Sequence, residues 1–459
     1  MVRPRISLCV IARDEEDLLP GCLESARGAV DEIVLVDTGS KDRTTELARA
    51  AGAKVIFRPW DDDFAAPRTA AARAASGDWI LQLDADERLA PGGAAALIHA
   101  AGRGGFLVGL LRLHNAARPD ATTQEILSGA ARRDRPCLVP RLLRNTGDVE
   151  YRGRIHENVV EWMVSHGDGR GFIEADIVHL GYVAQLMTSR LKRERNLALL
   201  RRRCEEEGYG VVPAGYLSLE LLQVADYAGA QEVVERAWHR VNGAPPSQSI
   251  LRLALARAAL ALRHTDLGVV LESLERVERR EGPHPDLDFL RGIVHEDLAV
   301  KSEPGSPGRE EHLRRSMEAL SKALERLTGA VWEYVGAMSE VSAHLHLVAV
   351  HLLRGEAAEA LGQAGLALAQ DPTNPSSWVA SAEALLAAGE PGRALKAAQR
   401  ALGDKADGWL VAAAAALALG AREDARIFLG KVRQHRAKGF DHLHRVARLH
   451  QLERALGEG

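Results

Sequence analysis

Residues 77–87 read Gly-Asp-Trp-Ile-Leu-Gln-Leu-Asp-Ala-Asp-Glu, a short apolar run that ends in two aspartates one residue apart. A continuous apolar run of this length is typical of a buried strand in a parallel sheet. The carboxylates of Asp84 and Asp86, at the end of that strand, can share one divalent cation, because Mg²⁺ and Mn²⁺ prefer hard oxygen ligands. Most Asp-x-Asp pairs are ordinary surface loops. The position of this pair directly after a predicted strand is what favours a binding site.

The first hundred residues alternate between strand and helix patterns. Apolar runs predict strands at 6–11, 32–36, 54–57 and 79–83, and helical spacing predicts helices at 14–28, 44–51 and 67–75. This rhythm predicts a mostly parallel, Rossmann-like α/β sheet with right-handed crossovers. Shorter strands are expected at 106–113, 141–143 and 173–179, followed by a long basic helix at 186–207.

Polar clusters follow the ends of three of the predicted strands. They are Arg13-Asp14-Glu15-Glu16, Asp37-Thr38-Gly39-Ser40-Lys41-Asp42 and Asp84-Ala85-Asp86-Glu87. Ligands of open α/β sheets bind at the carboxyl ends of the strands, so we expect the three clusters to meet at one rim.

The second cluster has two interpretations. Asp37 could accept a hydrogen bond from the imide N–H of a nucleotide base, and Gly39 would let the backbone turn tightly beside that ligand. Ser40 or Asp42 could instead only cap the next helix. In the first cluster, Glu15 or Glu16 could contact a ribose or simply lie at a helix N-terminus.

The C-terminal half is helical throughout and contains a repeat. Gly355-Glu356 with Ala360 recurs 34 residues later as Gly389-Glu390 with Ala394, and again, slightly shortened, as Gly420 with Ala425. A helix-turn-helix period of this length, with small residues at close-packing positions, resembles tetratricopeptide repeats. Residues 210–329 read as earlier, degenerate units. We therefore expect an α/β domain at 1–209 and an all-α tetratricopeptide-like solenoid at 210–459.

Composition and charge exclude several classes. The chain has 459 residues, 46% of them hydrophobic and 27% charged, which is a globular composition. A net charge of -4 gives no electrostatic reason to expect nucleic-acid binding. No apolar run is long enough to span a membrane, no secretory leader pattern is present, and the four cysteines form no Cys-x-x-Cys pair. We expect a reduced, cytoplasmic protein without a structural zinc site.

The ordered runs at 6–16, 31–44 and 77–87 resemble family 2 glycosyltransferases. They look most similar to the branch that contains lipopolysaccharide core β-1,4-glucosyltransferases and bacteriocin S-glycosyltransferases, some of which carry appended tetratricopeptide repeats. The resemblance covers roughly residues 5–200. It implies a GT-A fold and inverting transfer of a hexose from a nucleotide-diphosphate sugar, with UDP favoured and with Mn²⁺ or Mg²⁺ as cofactor.

The resemblance also implies residue roles at the donor site. Asp37 would hold the base, Asp84 the ribose or the metal, and Asp86 the metal, with His179 of the run at 177–182 as a third metal ligand. Arg68 matches a basic residue of the family's Ala-Arg-Asn stretch, although that stretch reads Pro-Arg-Thr at 67–69. The remaining nucleotide-sugar contacts would come from Ala12, Arg13, Glu15, Glu16, Gly39, Asp42 and Ala85.

Residues 153–157, Gly-Arg-Ile-His-Glu, resemble the family's Gly-Arg-x-His-Glu segment. An inverting transfer needs one general base to deprotonate the acceptor as it attacks the anomeric carbon, and a carboxylate across the sugar from the metal suits that role. Glu157 is the predicted base. His156 beside it would bind the acceptor or act in its place, and the alternative is that both belong to an ordinary polar loop.

Three functions remain open on this sequence. The first is a transferase acting on a peptide, protein or small acceptor that docks with help from the repeats, which can present a groove to an extended peptide or to a separate protein partner. The second is an envelope glycan transferase of the lipopolysaccharide type. The third is a non-catalytic repeat scaffold, which the combined set of acidic and histidine residues argues against. A homodimer is compatible with any of them.

Overall fold

The computed structural model describes residues 3–118, 120–133, 136–167, 169–181, 189–244, 248–264, 267–329, 339–403, 406–435 and 443–457. These residues form two compact units, one within residues 3–244 and the other within residues 248–457.

The first unit is built on an eight-stranded sheet. Its strands are β1 (Ile6–Ala12), β2 (Glu32–Asp37), β3 (Lys54–Phe57), β4 (Trp79–Gln82), β5 (Glu87–Leu89), β6 (Val108–Asn115), β7 (Cys137–Arg144) and β8 (Arg170–His179). The order across the sheet is β3-β2-β1-β4-β7-β6-β8-β5. The first four strands are parallel, as predicted. β7 runs antiparallel to β4 and β6, and β5 runs antiparallel to β8, so the sheet as a whole is mixed.

The first unit also contains helices, and the first six of them pack against the sheet. The helices of this unit are α1 (Leu19–Ala26), α2 (Thr44–Ala50), α3 (Ala65–Ala74), α4 (Gly93–Arg103), α5 (Thr123–Ser128), α6 (Val160–Ser165), α7 (Ser189–Glu206), α8 (Val211–Gln223) and α9 (Tyr227–Trp238). Along β1, Leu8 and Val10 join the apolar cluster on one face, and Cys9 joins the cluster on the other. Because successive side chains of a strand point to opposite faces, a strand covered on both sides reads as a continuous apolar run.

The second unit is entirely helical in its described part. Its helices are α10 (Gln248–His264), α11 (Leu267–Glu281), α12 (Pro285–Lys301), α13 (Pro307–Gly329), α14 (Glu340–Arg354), α15 (Ala357–Gln370), α16 (Pro375–Ala387), α17 (Pro391–Gln399), α18 (Ala406–Ala418), α19 (Arg422–His435) and α20 (Leu443–Leu456).

The predicted repeat is confirmed in α14–α19. Gly355, Gly389 and Gly420 each follow the first helix of a pair with φ values of 77°, 77° and 81°. Glycine adopts this left-handed conformation without the steric cost of a Cβ, which is why it commonly ends helices. The matching alanines of the second helices, Ala360, Ala394 and Ala425, are fully buried, since the paired helices approach closely there.

Helices α7, α8 and α9 belong to the same compact unit as the sheet. The break between α7 and α8 falls at residues 207–210, close to the predicted boundary at 209. That boundary stays a prediction, because the compact unit extends beyond it. Within the described residues, no helix combines the length and the apolar character that a membrane crossing requires.

Candidate active site

The ends of β1, β2 and β4 meet at one edge of the sheet. Ala12, the last residue of β1, pairs with Asp37, the last residue of β2. The backbone N–H of Thr38 donates to the carbonyl of Ala12 at 3.0 Å, and that of Leu83 donates to the carbonyl of Cys9 at 3.3 Å. The three polar clusters therefore begin side by side, as parallel strand ends require.

The loops after β1 and β2 are joined by reciprocal hydrogen bonds. Each loop supplies both side-chain acceptors and backbone donors to the other. Backbone N–H groups of the first loop donate to Ser40 Oγ (from Asp14, 3.0 Å), Thr44 Oγ1 (from Glu15, 2.8 Å) and Asp42 Oδ2 (from Glu16, 3.0 Å). In return, Lys41 N–H donates to Asp14 Oδ1 at 2.6 Å and Arg43 N–H donates to Glu16 Oε2 at 3.1 Å. Asp42 and Glu16 thus hold the rim together in this structure.

Asp37 shapes the turn that follows it. The residue is only 3% exposed, and its carboxylate accepts the backbone N–H groups of Gly39 at 3.2 Å and Ser40 at 3.1 Å. Gly39 has a φ of 115°, a conformation that a side chain would strongly disfavour. Asp37 is therefore fixed in place at the rim by its own loop.

Two other predicted nucleotide-sugar residues have simple surroundings. Arg13 is exposed, with Nε 3.8 Å from the carboxylate of Asp14. Ala85 is buried between Asp84 and Asp86, and its carbonyl accepts a hydrogen bond from Arg88 Nη1 at 2.9 Å. Arg88 thereby fixes the backbone of the turn that carries both aspartates.

Arg68 lies on α3 and is 7% exposed. Its Nη2 donates to Asp84 Oδ1 at 2.7 Å, and its Nε donates to Glu157 Oε1. Burial acts to lower the pKa of Arg68, but the carboxylates of Asp84 and Glu157 outweigh it and raise that pKa. Within the described residues, its buried Nη1 has no hydrogen-bond partner. The Arg68 guanidinium thus connects Glu157, the predicted general base, to the Asp-x-Asp turn, and its Nη1 is available to a ligand oxygen.

Arg141 of β7 approaches Asp84 from its other oxygen. Its Nη2 lies 3.5 Å from Asp84 Oδ2 and 2.6 Å from Oε1 of Glu87, and its Nε donates to Glu87 Oε2 at 3.1 Å. Burial raises the pKa of Asp84, but Arg68 and Arg141 lower it overall, to about 2. Asp84 is therefore ionised at neutral pH and held between two arginines.

Sequence reasoning did not assign site roles to Arg141 or Glu87. Glu87 directly follows Asp86 in the sequence, and Arg141 lies within a predicted strand. Their pairing joins positions 54 residues apart in the chain. The residue spacing near Glu87 or near Arg141 could therefore not have indicated that the two side chains pair.

Asp86 contacts His179 rather than an arginine. His179 Nε2 lies 3.3 Å from Asp86 Oδ2, and its Nδ1 lies 2.8 Å from Oδ1 of Asn115, a residue that the sequence reasoning missed. A proton on Nδ1 suits the Asn115 contact and leaves Nε2 facing Asp86. Burial lowers the pKa of His179, but Asp86 raises it overall.

The three predicted metal ligands, Asp84, Asp86 and His179, do not all lie together. Asp86 and His179 are together, whereas both oxygens of Asp84 face arginines. In the described part of the chain, no group of three or more His, Cys, Asp or Glu side chains is placed to hold a metal ion. Asp86 and His179 fit two positions of an ion whose remaining ligands are phosphate oxygens and water, a common arrangement for Mg²⁺.

Glu157 and His156 lie in a tight loop closed by a bridge between Arg152 and Asn158. The side chain of Glu157 reaches Arg68. His156 has a φ of 53°, and its ring stacks on Tyr216 of α8 with 3.9 Å between ring centroids and 5° between planes. The structure therefore brings Glu157 into contact with the Asp84 network and places the His156 ring against a helix.

Residues 7–146 match the family model described as Glycosyl transferase family 2, so the first unit contains a family 2 glycosyltransferase domain. A TPR repeat-containing protein from Synechococcus elongatus is 56% identical over 85 residues, which is 18% of this chain and 21% of that protein. The SPbeta prophage-derived glycosyltransferase SunS from Bacillus subtilis is 23% identical over 202 residues, 43% of this chain and 44% of SunS. Both relatives are thus matched over less than half of their own length.

Among solved structures, a tetratricopeptide repeat protein from Parabacteroides merdae is similar at a TM-score of 0.41 and 13% identity, covering 64% of this chain and 95% of that one. The chain combines a family 2 glycosyltransferase domain with a helical region whose helix pairs repeat after 34 residues at Gly355 and Gly389.

Proposed function

We propose that this protein is an inverting, metal-dependent hexosyltransferase that uses a nucleotide-diphosphate sugar, a UDP-hexose in the first instance. The observation that carries the proposal is the bridge from Glu157 through Arg68 to Asp84. It connects the predicted acceptor base to the donor side of the site at the edge where β1, β2 and β4 end. Open α/β sheets bind ligands at such an edge.

On the donor side, we assign Asp37 to the nucleotide base. The diphosphate would lie beside Asp84 and its arginine partners. The buried Nη1 of Arg68 supports this assignment, because a phosphate oxygen would satisfy a nitrogen that otherwise has no partner in the described structure. Asp86 and His179 would hold Mn²⁺ or Mg²⁺. When bound, the ion would neutralise the negative charge that builds on the diphosphate leaving group.

On the acceptor side, Glu157 takes the proton from the attacking atom. Its pairing with Arg68 fixes the direction of the carboxylate, and fixed orientation is a large part of what a catalytic group contributes. His156 is the residue before Glu157, is exposed and has its ring held by stacking on Tyr216, so it would contact the acceptor. This division keeps His156 as an acceptor contact and Glu157 as the base.

For the acceptor, we favour a peptide, protein or small molecule that docks with help from the repeats. Stacked helix pairs suit extended peptides and partner helices. A glycan of the envelope type is the alternative acceptor. A non-catalytic scaffold is the third reading, and it gives no reason for a buried arginine to connect two carboxylates at the sheet edge.

The test is release of nucleotide diphosphate by the full chain with a panel of UDP- and GDP-sugars, in Mn²⁺, Mg²⁺ and EDTA. We expect metal-dependent release with at least one donor, and a thermal shift with the matching nucleotide. Asp86→Ala should lose metal-dependent nucleotide binding, whereas Asp424→Ala, which removes an exposed carboxylate on α19, should not. Absence of release with every donor, together with no thermal shift by UDP or GDP, would favour the scaffold.

A further inference from the structure

Arg203 of α7 holds the backbone directly before Glu157. The residue is 3% exposed, and its Nη1 donates to the carbonyls of Ile155 at 2.6 Å and His156 at 3.2 Å. Its Nε donates to Glu207 Oε1 at 2.6 Å, which anchors the guanidinium to the residue that directly follows α7. Hydrogen bonds from an ionised donor are among the stronger ones in proteins.

The backbone that Arg203 holds is in an uncommon conformation. His156 has a φ of 53° and Gly153 a φ of 96°, both in the left-handed region. A non-glycine residue stays there only when its surroundings enforce it. A Cβ at Gly153 would overlap the guanidinium of Arg203, so the glycine is also what lets the arginine approach.

The same loop is fixed at a second point. Arg154 donates to both oxygens of Glu206 on α7, at 2.7 and 3.0 Å. Its carbonyl accepts the N–H of Phe64, the residue before α3, on which Arg68 lies. The loop that carries Glu157 is thus held between α7 and the start of the helix that carries its partner.

We propose that Arg203 is the positioning residue for Glu157, an inference that rests on the proposed function. Without its guanidinium, the carbonyls of Ile155 and His156 lose their charged donor and His156 can relax from its left-handed conformation. Since Glu157 is the next residue, that relaxation turns its carboxylate away from Arg68. Arg203 acts through the backbone and need not touch substrate.

The test compares full-length Arg203→Met with Arg201→Met. Arg201 lies on the same helix, is exposed and pairs only with Asp226 among the described contacts, so it controls for loss of an arginine from α7. We expect Arg203→Met to lower kcat by roughly 10- to 100-fold, the effect of misplacing a catalytic group by about 1 Å, while the donor Kd changes less than about twofold. Arg203→Lys should recover part of the loss.

A double-mutant cycle with Glu157→Gln separates positioning from general damage. If Arg203 acts through Glu157, then Arg203→Met lowers kcat little further once Glu157 is already Gln. Additive losses would overturn the proposal, and so would wild-type kcat in Arg203→Met. If Arg203→Met does not fold, Arg203→Lys, which keeps the charge but cannot reach both carbonyls with a fixed guanidinium, replaces it in the same cycle.

A readout without turnover keeps this inference separate from the proposed function. Amide hydrogen exchange at 152–158 should rise in Arg203→Met and stay at the wild-type rate in Arg201→Met. Unchanged exchange at 152–158 overturns the positioning role, whatever the activity. A wild-type chain that transfers no sugar from any donor, yet shows the expected exchange difference, would instead overturn the proposed function alone.

Discussion

Nη2 of Arg68 lies 2.7 Å from Oδ1 of Asp84, and the Arg68 side chain is 9% exposed whereas that of Asp84 is 32% exposed. The same guanidinium contacts Glu157, so two carboxylates that belong to different loops share one cation. Neither carboxylate can be considered alone, because removal of Arg68 changes the charge environment of both.

Arg68→Met should therefore destabilise the first unit strongly. Breaking a buried ion pair by removing one partner costs about 3–5 kcal/mol where the remaining charge is left uncompensated. Glu157 loses its arginine in this variant, whereas Asp84 keeps Arg141, so we expect a loss at the lower end of this range. Urea denaturation of the full chain at pH 7 measures this loss. Arg73→Met removes an exposed arginine from the same helix and should change stability by less than about 0.5 kcal/mol. Equal effects of the two substitutions would show that the bridge does not matter.

Gly181→Ala should separate Asp86 from His179. A Cβ at this position would overlap the Asp86 carboxylate and approach His179 Nε2 at 2.9 Å, so one of the two side chains must move. We expect metal-dependent nucleotide binding to weaken at least tenfold, with little change in the melting temperature, as measured by titration calorimetry with UDP and Mn²⁺. Normal affinity would show that the two side chains do not act together on the ion.

Gly355→Ala should destabilise the second unit by about 1 kcal/mol, because its φ of 77° carries a steric cost of roughly 1–2 kcal/mol for a residue with a Cβ. Gly362→Ala is the matched control within α15. No atom lies within 4 Å of its added Cβ, and alanine stabilises a helix interior by about 0.5–1 kcal/mol relative to glycine. Thermal denaturation should show shifts of opposite sign. Two stabilising substitutions would contradict the role given to Gly355.

Two buried histidines should make the second unit sensitive to mild acid. Burial, with the nearby charge of Arg326, lowers the pKa of His284 to about 4. Burial, with His312 beside it, lowers the pKa of His295 to about 4 as well. An unfolded histidine titrates near 6.5. The unfolded chain therefore binds protons first, so stability is complete above about pH 6.5 and is lost as the pH falls towards 4.

We expect each of the two histidines to lower the free energy of unfolding by about 1–2 kcal/mol between pH 7 and pH 5, since one pKa unit corresponds to about 1.4 kcal/mol. His295→Gln should reduce this slope, as read from chemical denaturation at each pH. His450→Gln, at an exposed position on α20, should leave the slope unchanged. A slope that does not depend on His295 would contradict its burial in the neutral form.

Three strands of the parallel half of the sheet, β1, β2 and β4, were predictable because they are covered on both faces. The apolar runs of β1, β2 and β4 report that burial directly. β5 is only three residues long and pairs antiparallel with β8, a partner far along the chain, so no local pattern could reveal it. The same limit applies to β7, whose antiparallel pairing with β4 and β6 makes a mostly parallel sheet mixed.

Some residues of the candidate site were also predictable from the sequence, and others were not. The strand-end positions of Asp37 and Asp84 follow from the strand pattern alone. Their partners do not, because Arg141 reaches Glu87 and Arg203 reaches Ile155 across long stretches of chain. A sequence pattern can thus place a carboxylate at a strand end, but the charge that faces it is decided by tertiary packing.

The reciprocal bonds between the loops after β1 and β2 have a consequence for engineering. Backbone N–H groups of residues 14–16 donate to side chains of residues 40–44, and those of Lys41 and Arg43 donate to Asp14 and Glu16 in return. A chimera that takes only one of these segments from another protein would leave backbone N–H groups at the rim without their acceptors. The two segments should therefore be exchanged together in any such chimera.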